Sequence, residues 1–346
     1  MPQAVHTLFD GISWLWWFSQ SEKYAEVEGI VEVLNDPKVT VAKTVLVNSL
    51  YELESWCTSI IARQADGTII HSRNLDFDNA DSMRKITYNA KFVHGTKPAF
   101  EAVMFGGVAG VYTGVKPGAF SISENQREFN KGSIGLVENL GMLFTGHSEI
   151  SWLLRSTLDQ CDTYQCAFDM LKDTPIDAFG YIALAGVKED EGAIISRNRY
   201  GAAHVDQLNS TRWFLVQTNS DHWDTVTPGE GCFNRCAAAH ENIAKVGHAA
   251  MNTTRLRDDV LLQFPNLNHD TIYNSVMTPA TGQFDSQLVK YVGQAGDEFA
   301  EHQYDRPFKL GIQWADMDSD LQTMVSEFAL SRFGELSNVL YYGLDE

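Results

Sequence analysis

The sequence predicts an α+β protein in which antiparallel sheets pack against one another with helices outside. Three observations predict it. The chain opens with helical periodicity as far as Glu54, switches abruptly to strand patterns after Cys57, and then mixes strands and helices without a regular β-α-β period. A doubly wound parallel sheet would require that period.

Taken in order, residues 8–18 form an aromatic-rich helical opening, and 24–34 and 41–53 carry apolar residues at three- and four-residue spacings. Thr58-Ser59-Ile60-Ile61-Ala62 and Ile69-Ile70-His71 flank Asp66-Gly67, a dipeptide suited to the positive-φ geometry of a tight hairpin turn. Further strands are expected at 102–108, 119–123, 181–186, 192–196 and 213–218, with helices at 136–142, 151–158 and 167–171. No repeat and no low-complexity linker interrupts the chain, so the simplest division is one body with a helical N-terminal piece.

Composition narrows the function. With 26 Lys+Arg against 45 Asp+Glu, the formal charge of −19 opposes any grip on phosphate backbones, and no nucleic-acid partner is expected. No stretch approaches the roughly 20 apolar residues of a spanning helix. The opening 21 residues lack a basic start and a small-residue cleavage site, so they do not read as a signal peptide. Two acceptor sequons, at Asn209 and Asn252, suit a secretory route.

The five cysteines are Cys57, Cys161, Cys166, Cys232 and Cys236, and Cys57 is the one without a near neighbour. The other four read as reduced buried thiols, as two disulfides, or as a four-thiolate zinc module.

Cys57 begins a strand directly after a helical segment. A thiol needs the least activation of the biological nucleophiles, provided a base is beside it. Were the chain cut between Trp56 and Cys57, the freed α-amine, with a reference pKa of about 7.7 to 8.0, would be that base. A two-residue turn at Asp66-Gly67 would set Cys57 opposite Asp76, with Cβ atoms about 5 Å apart. That register turns Arg73 to the other face unless a one-residue bulge intervenes. By themselves these residues are equally a small buried hydrophobe, a turn carboxylate and a surface cation.

The segments Cys57-Thr58-Ser59-Ile60-Ile61-Ala62 and His71-Ser72-Arg73-Asn74-Leu75-Asp76 resemble the opening of the catalytic subunit in the acid ceramidase and N-acylethanolamine-hydrolysing acid amidase family. The resemblance continues through Arg84-Lys85-Ile86-Thr87, Thr113-Gly114-Val115-Lys116-Pro117-Gly118, Ile195-Ser196-Arg197-Asn198-Arg199 and Asn219-Ser220-Asp221-His222-Trp223, over roughly residues 25–292. It implies a four-layer αββα sandwich of the N-terminal-nucleophile type and self-cleavage before Cys57. The fragments would be a helical segment (residues 1–56) and a catalytic body (57–346), which stay associated; 293–346 is an unassigned extension. It further implies hydrolysis of a fatty-acid amide, such as an N-acylethanolamine or ceramide, through a Cys57 thioester, without metal or organic cofactor, in a lysosomal or other acidic compartment.

Carried over residue by residue, Cys57 is nucleophile and amine base, Asp76 and Arg73 position the new N-terminus and the thiol, and Asn219 stabilises the oxyanion. Arg235 is a weaker match. The chain departs from the family at Gln126, where a glutamate is expected, leaving Glu124 or Glu128 to take its place or the acid trigger of maturation to differ. Trp14, Trp16, Trp17 and Phe18 suit either a membrane interface or a packed helix. The alternatives are a bile-salt or penicillin acylase, a non-catalytic lipid-binding protein of the same fold, and the zinc module.

Overall fold

The computed structural model describes residues 21–37, 39–50, 55–77, 80–127, 147–223 and 234–293. The aromatic opening at 8–18, the helix expected at 136–142, Glu128, Cys232 and the extension beyond 293 lie outside these residues.

Two helices come first, α1 (Ser21–Leu34) and α2 (Val41–Leu50). A hairpin follows, β1 (Ser55–Arg63) and β2 (Ile69–Phe77), then α3 (Ala80–Ile86), β3 (Thr87–His94), β4 (Lys97–Phe105), β5 (Thr113–Lys116) and β6 (Phe120–Gln126). Next are α4 (Ile150–Gln160), α5 (Tyr164–Asp173), β7 (Gly180–Ala185), β8 (Gly192–Asn198), β9 (Gly201–Gln207) and β10 (Phe214–Gln217). The described chain ends with α6 (Arg235–Val246), a π-helical turn at Leu256–Leu261, β11 (Thr271–Thr278) and β12 (Gln283–Leu288).

The strands form two sheets whose pairings are all antiparallel, a five-stranded one in the order β10-β1-β2-β11-β12 and a seven-stranded meander from β3 to β9. The twofold alternation of β1 builds the layers. Ile61 points inward and, with Ile69 and Leu215, packs against Ala183, Ala185 and Ile194 of the other sheet. Ile60 and Ala62 point outward into a core with Ala239 and Ile243 of α6 and Val260 and Leu261 of the π turn. On the far side, Leu153, Leu154 and Leu158 of α4 and Ala167 and Leu171 of α5 cover Phe120, Ile122 and Ile182. The result is the αββα sandwich the sequence implied.

The hairpin corrects the expected register. Gln64 N–H donates to the Thr68 carbonyl (2.8 Å) and Gly67 N–H to the Gln64 carbonyl (3.0 Å), so the loop is three residues, Ala65-Asp66-Gly67, rather than two. Gly67 takes φ +89° at its end, the left-handed conformation that closes such a loop. The extra residue moves every pairing by one: Cys57 lies opposite Leu75, Ser59 opposite Arg73, and Asp76 opposite Trp56. Because strand side chains alternate, Arg73 joins Cys57 on the inner face without a bulge, and Asp76 turns to the outer face.

The cysteine expectation is also corrected. Cys161 and Cys166 form a disulfide with Cα atoms 5.5 Å apart, tying the end of α4 to α5, and Cys236 is disulfide-bonded as well. Neither reduced buried thiols nor a zinc module therefore describes these three, while Cys57 is a buried free thiol as expected.

Candidate active site

Cys57 is fully buried in the inner layer, among Leu75, Val103, Phe105, Tyr112 and Tyr273. Its Sγ lies 2.6 Å from Arg73 Nη2, which also donates to the Glu124 carbonyl at 2.5 Å. Arg73 Nη1 donates to the Tyr112 carbonyl and to Thr113 Oγ1, both at 2.7 Å, and Thr113 Oγ1 meets Tyr273 OH at 2.8 Å. This guanidinium is wholly buried, yet its described hydrogen-bond partners are carbonyls, a hydroxyl and the thiol. A cation buried against the sulfur lowers the cost of a negative charge there. Burial works against the Arg73 charge, but Cys57, Tyr273 and Glu124 hold its pKa above the usual value. For Cys57 the balance in the uncut chain goes the other way: burial raises the thiol pKa more than Arg73 lowers it. The thiol is protonated and sealed from solvent.

The backbone of Cys57 is held from the opposite side. Ser59 pairs with Gln217, and that register carried two residues further sets Asn219 beside Cys57 where β10 has ended. Asn219 replaces the missing ladder partner: its Oδ1 accepts the Cys57 N–H at 2.7 Å. The same oxygen accepts from Arg235 Nη2 at 2.9 Å, and Asn219 Nδ2 donates to the Gln126 carbonyl at 2.8 Å. Arg235, the first residue of α6, donates through Nη1 to the Cys57 carbonyl (2.7 Å), Thr58 Oγ1 (3.1 Å) and Asp76 Oδ2 (3.5 Å).

Asp76 is fully buried, and its Oδ2 also accepts from Asn268 Nδ2 at 3.1 Å, while Oδ1 has no hydrogen-bond partner among the described residues. Burial pushes its pKa up to about 6, against the lowering influence of Arg235, Thr271 and Asn268. An acceptor is thus left over on the carboxylate beside the Trp56 strand position.

The structure therefore gathers Cys57, Arg73, Asp76, Asn219 and Arg235 into one cluster, with half-buried Trp56 preceding the thiol. Strand β6 contributes to it through the Glu124 and Gln126 carbonyls. The Glu124 carboxylate points to the helical side, where a Cβ on Gly180 would lie 3.4 Å from its Oε1. So the substitution at Gln126 leaves intact the backbone atom that Asn219 binds.

Sequence reasoning passed over a polar chain between the sheets. His71 joins Ser121 (3.0 Å) and Ser123 (2.9 Å), Ser123 meets Ser59 Oγ (2.8 Å), Ser59 donates to Asn125 Oδ1 (2.7 Å), and Asn125 Nδ2 donates to the Gln217 carbonyl (2.9 Å). Burial and the nearby Arg73 hold the His71 pKa down at about 3, so this imidazole is neutral. The signal was present as serines at alternate positions, Ser121 and Ser123, on a strand otherwise rich in buried residues. Thr113 and Tyr273 escaped notice because their partners come from distant strands.

A sandwich of this topology is the fold of the N-terminal-nucleophile hydrolases, and Cys57 stands near the start of one of its inner strands. Comparison with known proteins makes the membership specific. The chain is 36% identical over 259 residues to rat N-acylethanolamine-hydrolysing acid amidase, covering 74% of this chain and 68% of that one. It is 33% identical over 289 residues to human acid ceramidase, covering 76% and 69%. The solved structure of the Caenorhabditis elegans ortholog of the same acid amidase superposes with a TM-score of 0.61 at 30% identity, over 67% of this chain and all of that one. No protein-family model matches. The chain belongs to the N-acylethanolamine-hydrolysing acid amidase and acid ceramidase family, and is a cysteine amidohydrolase of the N-terminal-nucleophile class.

Proposed function

We propose that this protein cuts itself between Trp56 and Cys57 and then hydrolyses the amide bond of fatty-acid amides, N-acylethanolamines or ceramides, with Cys57 as nucleophile. The observation that carries the reading is the contact between Cys57 Sγ and the Arg73 guanidinium, a buried cation whose described hydrogen-bond partners include no carboxylate.

In maturation, Sγ attacks the Trp56 carbonyl carbon. A C–S bond forms, the C–N bond to Cys57 breaks, and the thiol proton ends on the freed amine. Water then cleaves the thioester, leaving Trp56 as a carboxylate and the thiol restored. In turnover the Cys57 α-amine takes the thiol proton, Sγ attacks the acyl carbonyl, and the proton passes to the departing amine. Water releases the fatty acid. Asn219 Oδ1 is fixed by two donors and Nδ2 rests on the Gln126 carbonyl; in this reading Nδ2 donates to the developing oxyanion once substrate is bound. Asp76 Oδ1 would accept from the new ammonium, with Arg235 keeping the carboxylate and the Cys57 carbonyl in place.

The fragments, residues 1–56 and 57–346, stay together in this reading. Glu26 of α1 pairs with both Nη atoms of Arg155 (2.5 and 2.6 Å), Lys23 with Glu149 (3.1 Å), and Asn48 of α2 bonds the Gly107 carbonyl (2.9 Å) and the Ala109 N–H (2.8 Å). Membership in a family of acid amidases favours an acidic compartment, and both sequon asparagines are exposed.

Intact masses of the purified chain before and after incubation at acid pH, beside a Cys57→Ala control, test the proposal. Two fragments meeting at Trp56 and Cys57, absent from the control, together with release of fatty acid from an N-acylethanolamine or a ceramide, are expected. An uncut, inactive chain at every pH would leave a lipid-binding protein of the same fold.

A further inference from the structure

At the β9 edge of the seven-stranded sheet three side chains converge. His204 and Asp206 sit two apart on β9 and so share one face of that strand. His222 reaches them from the segment that follows β10. His204 Nε2 lies 3.2 Å and His222 Nε2 3.0 Å from Asp206 Oδ2, and the three atoms all fall within 4.8 Å of one another.

Close approach of a carboxylate and imidazoles is usually hydrogen bonding. Here the contacts are close charge contacts of 3.0 and 3.2 Å, and Asp206 Oδ2, shielded from solvent, has no partner that meets hydrogen-bond geometry among the described residues. The other oxygen, Oδ1, is taken by Arg212 Nη1 at 2.5 Å. One carboxylate oxygen is therefore braced from behind and the second stands between two imidazole nitrogens. That is how a monodentate carboxylate ligand with an outer-sphere partner is held. The 3.0 and 3.2 Å separations are near the roughly 3.4 Å edge of a tetrahedron with bonds of about 2.0 to 2.1 Å. The His204 and His222 rings pack on Trp223, with centroids 4.5 and 5.0 Å away, which limits their rotation. His204 is exposed, so the remaining coordination position opens to water.

We propose that His204, Asp206 and His222 form a binding site for a divalent transition metal of the zinc class. Two imidazoles and one carboxylate suit such an ion and ill suit magnesium or calcium, which take oxygen ligands. The site supplies no group to the hydrolytic step. Its place gives it a bracing role. His222 follows Asn219 by three residues, and Asp221 between them is already anchored by Arg127 (2.7 Å, through Nε and Nη2) and Tyr181 OH (2.6 Å). A metal would add a second anchor and tie the edge strand β9 to the segment that presents Asn219.

The test uses the full chain carrying Cys57→Ala, which removes the free thiol as a competing ligand and prevents self-cleavage. After chelator treatment, Co2+ is titrated at neutral pH while visible absorption is recorded, and Zn2+ binding is followed by calorimetry. One equivalent should bind, with the intense absorption of four-coordinate Co2+, and His204→Gln or Asp206→Asn should weaken binding on the order of 100-fold and abolish the band. The exposed His204 can be replaced without threatening the core, and an unchanged melting temperature of metal-free His204→Gln checks this. Absence of saturable binding by the parent chain, or binding unaltered by His204→Gln, would overturn the proposal.

Discussion

The Cys57 N–H donates to the side-chain oxygen of Asn219 at 2.7 Å, at the point where β10 stops supplying ladder partners to β1. A side chain thus completes a sheet at the peptide bond expected to break. Removing it should therefore affect the backbone and the chemistry together. Asn219→Ala leaves the Cys57 N–H and one Arg235 donor unpaired and removes the proposed oxyanion donor. We expect kcat on a fatty-acid amide to fall by about 10²- to 10³-fold with a smaller change in KM. Steady-state kinetics on pre-cut enzyme separates this from slower maturation; a change confined to KM would count against the oxyanion role.

Arg73 should matter for stability as well as for activity. Its substitution by Met, in a Cys57→Ala chain that cannot cut itself, takes buried donors from the Glu124 carbonyl, from Thr113 Oγ1 and from the Tyr112 carbonyl, which keeps the Glu124 N–H at 3.0 Å. A loss of about 3 kcal/mol or more is expected from urea unfolding. Arg73→Lys should restore little, since one ammonium cannot span both carbonyls and Thr113 at once.

The buried titrating groups predict opposed pH effects on the uncut chain. His71 has a folded pKa of about 3, below its unfolded value of about 6.5, so its contribution is complete above that value and is lost as pH falls toward 3. Asp76, at about 6 when folded and about 3.8 when unfolded, contributes below pH 3.8 and loses that contribution as pH rises through 6. Melting temperatures of the Cys57→Ala chain between pH 3.5 and 7 should therefore drop less steeply on acidification in His71→Asn. In Asp76→Asn the drop should be steeper, because the compensating carboxyl is gone.

Access to the thiol should report on maturation. Cys57 is fully buried with a raised pKa while the chain is intact, so iodoacetamide should label it slowly. After cutting, labelling should accelerate by at least tenfold. Mass spectrometry of the Cys57 peptide at matched pH measures both rates, and equal rates would show that the sealed thiol is not the product of the uncut strand.

The hairpin loop sets which face Arg73 occupies. Gly67→Ala places a side chain at φ +89° and should cost about 1 kcal/mol without moving the register. Deleting Ala65, in contrast, favours a two-residue turn and carries Arg73 away from Cys57, so self-cleavage should cease although the strands can still pair. A cleavage assay on the two variants distinguishes these effects.

Local pattern made much of this legible in advance. The twofold alternation of Ile60, Ile61 and Ala62, the helical spacings in 24–34 and 151–158, and the abrupt change at Cys57 follow from side-chain periodicity, which is a property of neighbouring residues. The strands β3, β5, β9, β11 and β12 and the helices α3 and α6 were not foreseen. The edge strands β3, β9 and β12 have mixed-polarity sequences of weak periodicity, whereas β5 and β11 are buried on both faces, so that polar and apolar residues do not alternate along them. By itself the sequence, through its family resemblance, singled out Cys57, Arg73, Asp76, Asn219 and, more weakly, Arg235 as candidates and implied the kind of sandwich that would hold them. Only the tertiary structure decided their arrangement: a third loop residue ending in Gly67 chose the face of Arg73, and the β1–β10 register brought Asn219 to Cys57 across 162 positions. Register is settled by pairing and burial summed over whole strands, and a one-residue change that no local propensity resolves reverses every side chain in the strand.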